Sequence, residues 1–545
     1  MSGEFGLRLT LGALLLSGLR SNLPLPPGPK PWPLLGNITD LPPEGQIPWR
    51  HWLKHKSLYG PISSVTVLGQ TLIIIHDREA ASELMEKRAV KYSARPTGTF
   101  ANEMCGFDMF LVSQQPGPRF QSFRRLAQTH IGTSKALERF SGLMDVEVGR
   151  LLVNLVDGKM LREPDGLEHA LHMSTSAIVL RILFNYSIDY HYHQEHDNNG
   201  DPLTRLNDQV MASFSEASLP GRWLVDMIPW VKHVPKWFPG TGFKDYAGAA
   251  LLNNRASAEV PFRFVKQTAA TRPGPSMVGD LLRARDAGSD VSEHDIKYSA
   301  TSLHAGGVET TTQMLQIFFL AMSMYPEVQV RAQQEVDELL RTSGADGGEK
   351  KRLPGLQDRS KLPYVSSLVK EVLRWFPVAP LGVPHLADAE DEYRGYRIPK
   401  NAILLPAVHW FSRDPDVYHD PETFKPERYL APHSEPDPSS FVFGFGRRIC
   451  PGKRLADEGI FLVIAKALAV LDVSKALDEE GKEIEPVFGH QSSGIVAHAL
   501  PFSVSIAPRS EAHAELVREL AVEHPLGQGD SKSVESLLND FLQGV

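Results

Sequence analysis

The sequence predicts a mainly α fold with small β-sheets, a single large α+β body, and three observations predict it. Long stretches place apolar residues at helical spacing, at 136–155, 167–184, 295–324, 327–340 and 364–375. Short apolar and β-branched runs at 62–68 and 71–76, with others near 394–405 and 496–506, read as strands. Neither a repeat nor a separating linker divides the 545 residues, although Gly/Pro clusters punctuate them at 235–242, 272–275 and 343–355.

Taken from the N-terminus, the first feature is an apolar run at 7–19, broken by Arg8, Thr10 and Ser17. It is shorter than the roughly 20 residues a membrane span requires. The proline-rich run at 23–33 fixes an extended, stiff backbone and ends any helix before it. Gly69 marks a hairpin turn between the first two strands, and the helical pattern then dominates. The segment 223–243, with Trp230, Trp237 and Phe238, suits a mobile, membrane-facing lid. Residues 341–355, with Gly344, Gly347 and Gly348, read as a solvated loop. In the tail, residues 527–530 form a flexible joint. Val534, Leu537, Leu538 and Phe541 then recur at helical spacing, as in a loosely docked terminal helix.

Composition narrows the function. Two cysteines, Cys105 and Cys450, are too few for a disulfide framework and fit a reducing compartment. A net charge of −8 argues against bulk attraction to nucleic acid.

Cys450 lies in the run Phe443-Gly444-Phe445-Gly446-Arg447-Arg448-Ile449-Cys450-Pro451-Gly452. A cysteine framed this way is a candidate thiolate ligand for haem iron. Gly446 lets the backbone turn and pass close to a flat ring. Arg448 can hold a propionate through charge-assisted hydrogen bonds. Pro451 suits the first position of a helix, and Gly452 leaves room for that helix to approach the ring. The Ala/Leu/Ile/Val-rich stretch 454–471 reads as this buried helix, and its N-terminal dipole favours a thiolate. The run matches F-x-x-G-x-R-x-C-x-G at every fixed position, and here the chain resembles the cytochrome P450 family.

A second motif lies inside a long helical stretch: Ala305-Gly306-Gly307-Val308-Glu309-Thr310-Thr311-Thr312. Two adjacent glycines inside a helix cost about 1 kcal/mol each relative to alanine. Thr310 follows Gly306 by four residues, so its hydroxyl can reach that carbonyl and open the helix. An acid beside an alcohol is what proton delivery to dioxygen needs. The segment resembles the family's (A/G)-G-x-(D/E)-T-(T/S) motif, which implies catalytic roles for Glu309 and Thr310.

Glu371 and Arg374 share a helix face. With the later Pro426-Glu427-Arg428-Tyr429, they resemble family segments that form a buried structural triad of Glu371, Arg374 and Arg428. Further candidates for the propionates, by resemblance, are Arg124 and His385. Arg124 stands in a W-x-x-x-R-like run whose aromatic position holds Phe120. The resemblance also places Phe100, Phe107, Phe110, Leu303, Val308, Val378, Leu381 and Ile495 at the substrate pocket. An apolar lining of that kind suits a neutral, lipophilic terpenoid, polyketide or aromatic skeleton.

The likeness is greatest to filamentous-fungal microsomal enzymes. It implies an N-terminal anchor over 1–22, a hinge over 23–36, a catalytic domain over 37–508 and a C-terminal extension over 509–545. It further implies haem b and a monooxygenase that draws electrons from an NADPH–cytochrome P450 reductase. Association with the endoplasmic-reticulum membrane, catalytic domain toward the cytosol, follows from the same likeness. A reductase-independent isomerase and a non-catalytic haem carrier or sensor are the alternatives. Neither needs the acid–alcohol pair at Glu309 and Thr310.

Overall fold

The computed structural model describes residues 23–43, 45–158, 165–190, 200–219, 222–343, 352–492, 494–525 and 529–544. The expected anchor over 1–22 lies outside them. So do residues 344–351 of the expected loop and residues 527 and 528 of the expected joint. The chain gathers into two compact units, each built from segments far apart in sequence. That interleaving explains why no linker is visible in the sequence.

The first unit takes residues up to Pro96, Ala379–Asp414 and Ser440–Ile449. Helix α1 (Pro48–Tyr59) leads into strands β1 (Ile62–Val67) and β2 (Gln70–Ile75). After them come β3 (His385–Leu386), β4 (Asp391–Tyr393), β5 (Tyr396–Ile398) and β6 (Ile403–Pro406). The main sheet has the order β1-β2-β6-β3, with β2 and β6 parallel and the other pairs antiparallel. Gly69 turns the β1–β2 hairpin at φ +86°. Trp52, Val65, Ile74 and Leu405 form the core beneath the sheet. The proline-rich run is pinned along β1: Ser64 donates its N–H to Pro27 O at 2.9 Å and its hydroxyl to Pro26 O at 2.6 Å. Gly28 permits this approach, because a Cβ there would lie 1.9 Å from Ser64 O.

The second unit holds the long helices. They are α2 (Pro118–Ile131), α3 (Ser141–Asp157), α4 (Gly166–Phe184), α5 (Pro202–Ala217), α6 (Phe243–Thr268), α7 (Glu293–Gly307) and α8 (Glu309–Met324). Helices α9 (Pro326–Ser343), α10 (Pro363–Trp375) and α11 (Lys453–Val470) follow. Two antiparallel two-stranded sheets pair β7 (Leu471–Lys475) with β10 (Val504–Pro508) and β8 (His490–Ser492) with β9 (Ala497–Ala499). Two last helices, α12 (Glu511–Glu523) and α13 (Ser531–Gln543), close the chain. The stretch 295–324, expected as one helix, is two, because Val308 departs to φ −86°, ψ −70° between α7 and α8. The expected solvated loop ends in a buried Leu353–Gly355 segment, where Arg352 grips Asp358 through two hydrogen bonds of 2.6 and 2.9 Å.

The terminal helix is not loosely docked. Val534 and Leu538 are buried, and Ser531 donates to the buried Asp201 carboxylate at 2.7 Å. Tyr186 donates to the same carboxylate, Asp530 pairs with Arg272, and Arg205 holds Glu535 at 3.0 and 3.1 Å. Asp530, at the end of the expected flexible joint, and the polar residues of the helix itself are thus what fasten it. Ser531→Ala should lower stability by about 1–3 kcal/mol, because Asp201 loses one of its donors and the Asp189 N–H loses its acceptor. Thermal unfolding checks this beside Lys532→Ala, at an exposed neighbouring position that should leave the midpoint unchanged.

Candidate active site

Cys450 stands three residues before α11, with Gly452 as the cap of that helix. Pro451 therefore sits in the preceding turn and not at the first helical position. Burial pushes the Cys450 thiol up. The Gly452 and Lys453 backbone N–H groups and the Arg124 and Lys453 charges pull it back toward the thiolate. A Cβ on Gly452 would come within 3.9 Å of Sγ. In the same unit Arg124, on α2, is depressed by burial and supported by the charge of Cys450. The structure thus brings Cys450, Gly452 and Arg124 together around one helix N-terminus.

The first unit gathers a separate basic cluster. Arg448 donates Nε to Ser93 O at 2.6 Å, and Arg95 donates to Val383 O and Pro384 O at 2.8 and 2.6 Å. Both guanidinium groups are buried, and burial and then the Arg448 charge hold Arg95 well below its ordinary range. Burial, with Arg95 and Arg448 beside it, pushes His385 down to about 3. Its Nδ1 lies 2.7 Å from Tyr92 O, so the neutral ring carries its proton there. His385 therefore serves an anion as a donor only after taking a second proton, which a nearby carboxylate favours. Two buried guanidinium groups and a histidine crowded together suit a ligand that carries two carboxylates, as haem does. Arg95 escaped the sequence analysis. Its signal was only an arginine before a proline, with no motif around it.

Gly446 does pass close to something, but that is the chain itself. Its φ is +53°, and a Cβ would lie 2.3 Å from Met85 O. Phe443 is half-buried in the same loop, whereas Phe441 and Phe445 fill the core beside Phe411.

The break between α7 and α8 has the geometry its residues imply. Thr310 Oγ1 donates to Gly306 O at 2.9 Å, Thr311 to Gly307 O at 2.9 Å and Thr312 to Val308 O at 3.0 Å. Side-chain hydroxyls thus bond to carbonyls one turn back, which opens the helix. Gly306 is exposed within an otherwise buried helix, and a Cβ there would meet nothing within 4 Å. Glu309 stands beside Thr310 with Oε1 2.9 Å from His498 Nε2, while its Oε2 is buried and has no hydrogen-bond partner among the described residues.

Glu371, Arg374 and Arg428 form one fully buried assembly. Glu371 accepts from Arg374 Nε and Nη2 at 2.9 and 2.7 Å, and from Arg428 Nε at 3.1 Å through both oxygens. Tyr429 and the Lys425 N–H complete its acceptors at 3.1 and 2.8 Å. The remaining guanidinium hydrogens reach backbone carbonyls and Glu435.

The expected pocket residues divide. Phe100, Phe107 and Phe110 pack with Val210, Ala247, Ala250 and Ala305 in one core cluster, and Trp223 stacks on Phe100 at 3.8 Å. Leu303 and Val308 are buried as well, whereas Val378 and Ile495 are half-buried. Leu381 instead packs against the Trp52–Val65–Ile74–Leu405 core of the first unit. The segment 223–243, expected as a lid, is tied down by Asp226, which accepts from the Phe100 N–H at 2.8 Å, and it leaves Trp230 and Trp237 70% and 81% exposed.

Comparison with known proteins agrees with this chemistry. The family model described as Cytochrome P450 matches residues 26–505. The chain is 41% identical over 520 residues to the cytochrome P450 monooxygenase CLM2 of Gibberella zeae, covering 94% of each chain. It is 39% identical over 508 residues to the multifunctional cytochrome P450 monooxygenase af510 of Aspergillus fumigatus, covering 92% of this chain and 91% of that one. To the O-methylsterigmatocystin oxidoreductase of Aspergillus flavus it is 34% identical over 531 residues, covering 96% and 95%.

Proposed function

Because the chain belongs to the cytochrome P450 family and is a haem-thiolate monooxygenase of the kind found in fungal secondary metabolism, we propose that Cys450 is its axial thiolate and that Glu309 and Thr310 deliver the protons its chemistry consumes. Haem, when bound, activates dioxygen with electrons that originate in NADPH, and one oxygen atom enters the substrate. Around it the chain's own residues divide the work. The Gly452 and Lys453 N–H groups hold the Cys450 sulfur. Arg95, Arg124, Arg448 and, once protonated, His385 receive the propionates. Glu371, Arg374 and Arg428 keep the fold under the site rigid and take no part in the reaction. Residues 37–508 make up the catalytic domain and 509–545 its extension.

One arrangement carries the proton-delivery reading: the Thr310 hydroxyl is committed as a donor to Gly306 O, which leaves its lone pairs to accept, and a carboxylate stands next to it. The substrate is a neutral, lipophilic terpenoid, polyketide or aromatic skeleton, a proposal supported by the apolar phenylalanine cluster near Ala305. Trp230, Trp237 and Phe238 stand exposed on the lid and suit insertion into a membrane interface, with the body toward the cytosol at the endoplasmic reticulum. Among the described residues no helix is long and apolar enough to cross a membrane. A membrane-bound, NADPH-dependent reductase is the proposed electron donor, and the exposed Arg125 on α2 supports its docking near Arg124.

Thr310→Ala should keep its haem and continue to consume NADPH in the presence of reductase. Product per NADPH should fall about tenfold or more, with hydrogen peroxide making up the difference. Parallel assays of product, NADPH and peroxide decide the matter. Unchanged coupling in both Thr310→Ala and Glu309→Gln would end the proton-delivery reading.

A further inference from the structure

The acid at Glu309 is held by a residue from a distant part of the chain. His498 lies on β9, whose two neighbouring N–H groups are both anchored: Ala497 N–H donates to Val378 O at 2.8 Å and Ala499 N–H to Gln313 Oε1 at 3.1 Å. Gln313 lies one turn after Glu309 on α8, so the side chain that pins β9 and the carboxylate that meets His498 share one helix face. The result is His498 Nε2 at 2.9 Å from Glu309 Oε1, a close contact and not an aligned hydrogen bond. Such contacts commonly straighten only when the reacting complex forms. The His498 and Glu309 side chains are each about one-fifth exposed, although His498 Nε2 and Glu309 Oε2 are themselves buried.

Charges from other elements surround it. His172 on α4 lies 3.2 Å from the half-exposed Asp208 on α5. Burial pulls His172 down, yet Asp208, Glu168 and Glu309 together leave it raised. Glu168, also on α4, reaches Gln313 at 3.5 Å. Glu309 therefore belongs to a titratable cluster from three helices and one strand, while its buried Oε2 is unpartnered among the described residues.

We propose that His498 reloads Glu309 with protons, acting through that carboxyl group and not on the reacting atoms. This rests on the reading of Glu309 and Thr310 as the proton-delivery pair. Glu309 gives up a proton from Oε2, and the resulting carboxylate takes one at Oε1 from the His498 imidazolium. The neutral ring, still carrying its Nδ1 proton, swings Nε2 away from Glu309 to regain a proton there from solvent, and its return with rotation of the carboxyl group resets the cycle. Each round moves one proton inward and leaves both side chains as they began.

The test compares His498→Gln, His498→Ala, Glu309→Gln and the Glu309→Gln/His498→Ala double variant, all haem-loaded and supplied with reductase. Product per NADPH and peroxide release are measured across pH in water and in deuterium oxide. Both His498 variants should lose about tenfold in coupling, with a larger solvent isotope effect. The difference from wild type should shrink in alkaline buffer, where the wild-type imidazole has no second proton to give. The double variant should be no worse than Glu309→Gln, since His498 acts through that residue. A readout independent of turnover is acylation of His498 by diethyl pyrocarbonate in the resting protein, which should quicken in Glu309→Gln.

Normal coupling and isotope effect in both His498 variants, with Glu309→Gln impaired, overturns the His498 proposal and leaves the proton-delivery pair standing. Normal coupling in Glu309→Gln overturns both. If Gln at 498 preserves coupling while Ala does not, the ring only orients Glu309, and proton transfer from His498 is excluded. An acylation rate unaffected by Glu309→Gln removes the contact itself.

Discussion

Cys450→Ala should abolish the strongly red-shifted Soret band of the reduced, carbon monoxide-treated protein, and all oxygenation with it. Thiolate ligation produces that band by placing electron density on the iron, and no other side chain supplies an equivalent donor. Burial raises the Cys450 thiol on balance, while two N–H groups at a helix N-terminus and the Arg124 and Lys453 charges act in the opposite direction, toward the thiolate. Cys105 supplies the control. It is buried beside apolar groups, burial pushes its thiol up to about 12, and Cys105→Ala should keep the band. A Cys450→Ala protein that still shows the red-shifted band would remove the assignment outright.

Arg428→Ala is expected to be the most damaging substitution for the folded state. It strips one cation from a carboxylate that has no solvent exposure and leaves Glu371 with an uncompensated share of charge. Breaking such a buried pair costs about 3–5 kcal/mol, against a total stability of about 5–15 kcal/mol for an ordinary domain. Glu371→Gln should be nearly as severe, since Arg374 would lose its anion and Arg428 would keep only Glu435. Haem content and the thermal midpoint of purified protein measure the effect. Arg331→Ala breaks a solvent-exposed pair with Glu427 and should cost about 0–1 kcal/mol. A Glu371→Gln variant that melts with the wild type would show the assembly to be dispensable.

Much of the site was legible because its residues act through local spacing. The cysteine run, the Gly-Gly/Glu-Thr run and the Glu371–Arg374 pair each sit within a dozen residues. Their chemistry follows from offsets of three or four along a helix. Arg95 and His498 were not legible in the same way. Each becomes meaningful only when distant segments meet, Arg95 with Val383–Pro384 and His498 with Glu309. The helices tell the same story. Strong apolar periodicity announced α4, α9 and α10 nearly to the residue. Helix α6 was missed because small and polar residues such as Ala247, Ala250, Asn254 and Ser257 make up much of its buried face and it carries Pro261 in its interior. The stretch 136–155 was drawn as one helix, but the chain breaks it at Arg139–Phe140, between Ser134–Glu138 and α3. The proposed pocket fared worst, since apolar side chains near a site and apolar side chains in a core have the same composition.

The fastening of the last helix sets an order of events in the life of the chain. Asp201 is committed to its buried position once α5 forms, yet one of its hydrogen-bond donors, Ser531, lies 330 residues later. During synthesis, at about 5–20 residues per second, that donor emerges tens of seconds after the carboxylate it serves. The second unit can therefore finish only after the segment around Ser531 has been made. A chain interrupted anywhere between the two residues would be left with an open seam at Asp201.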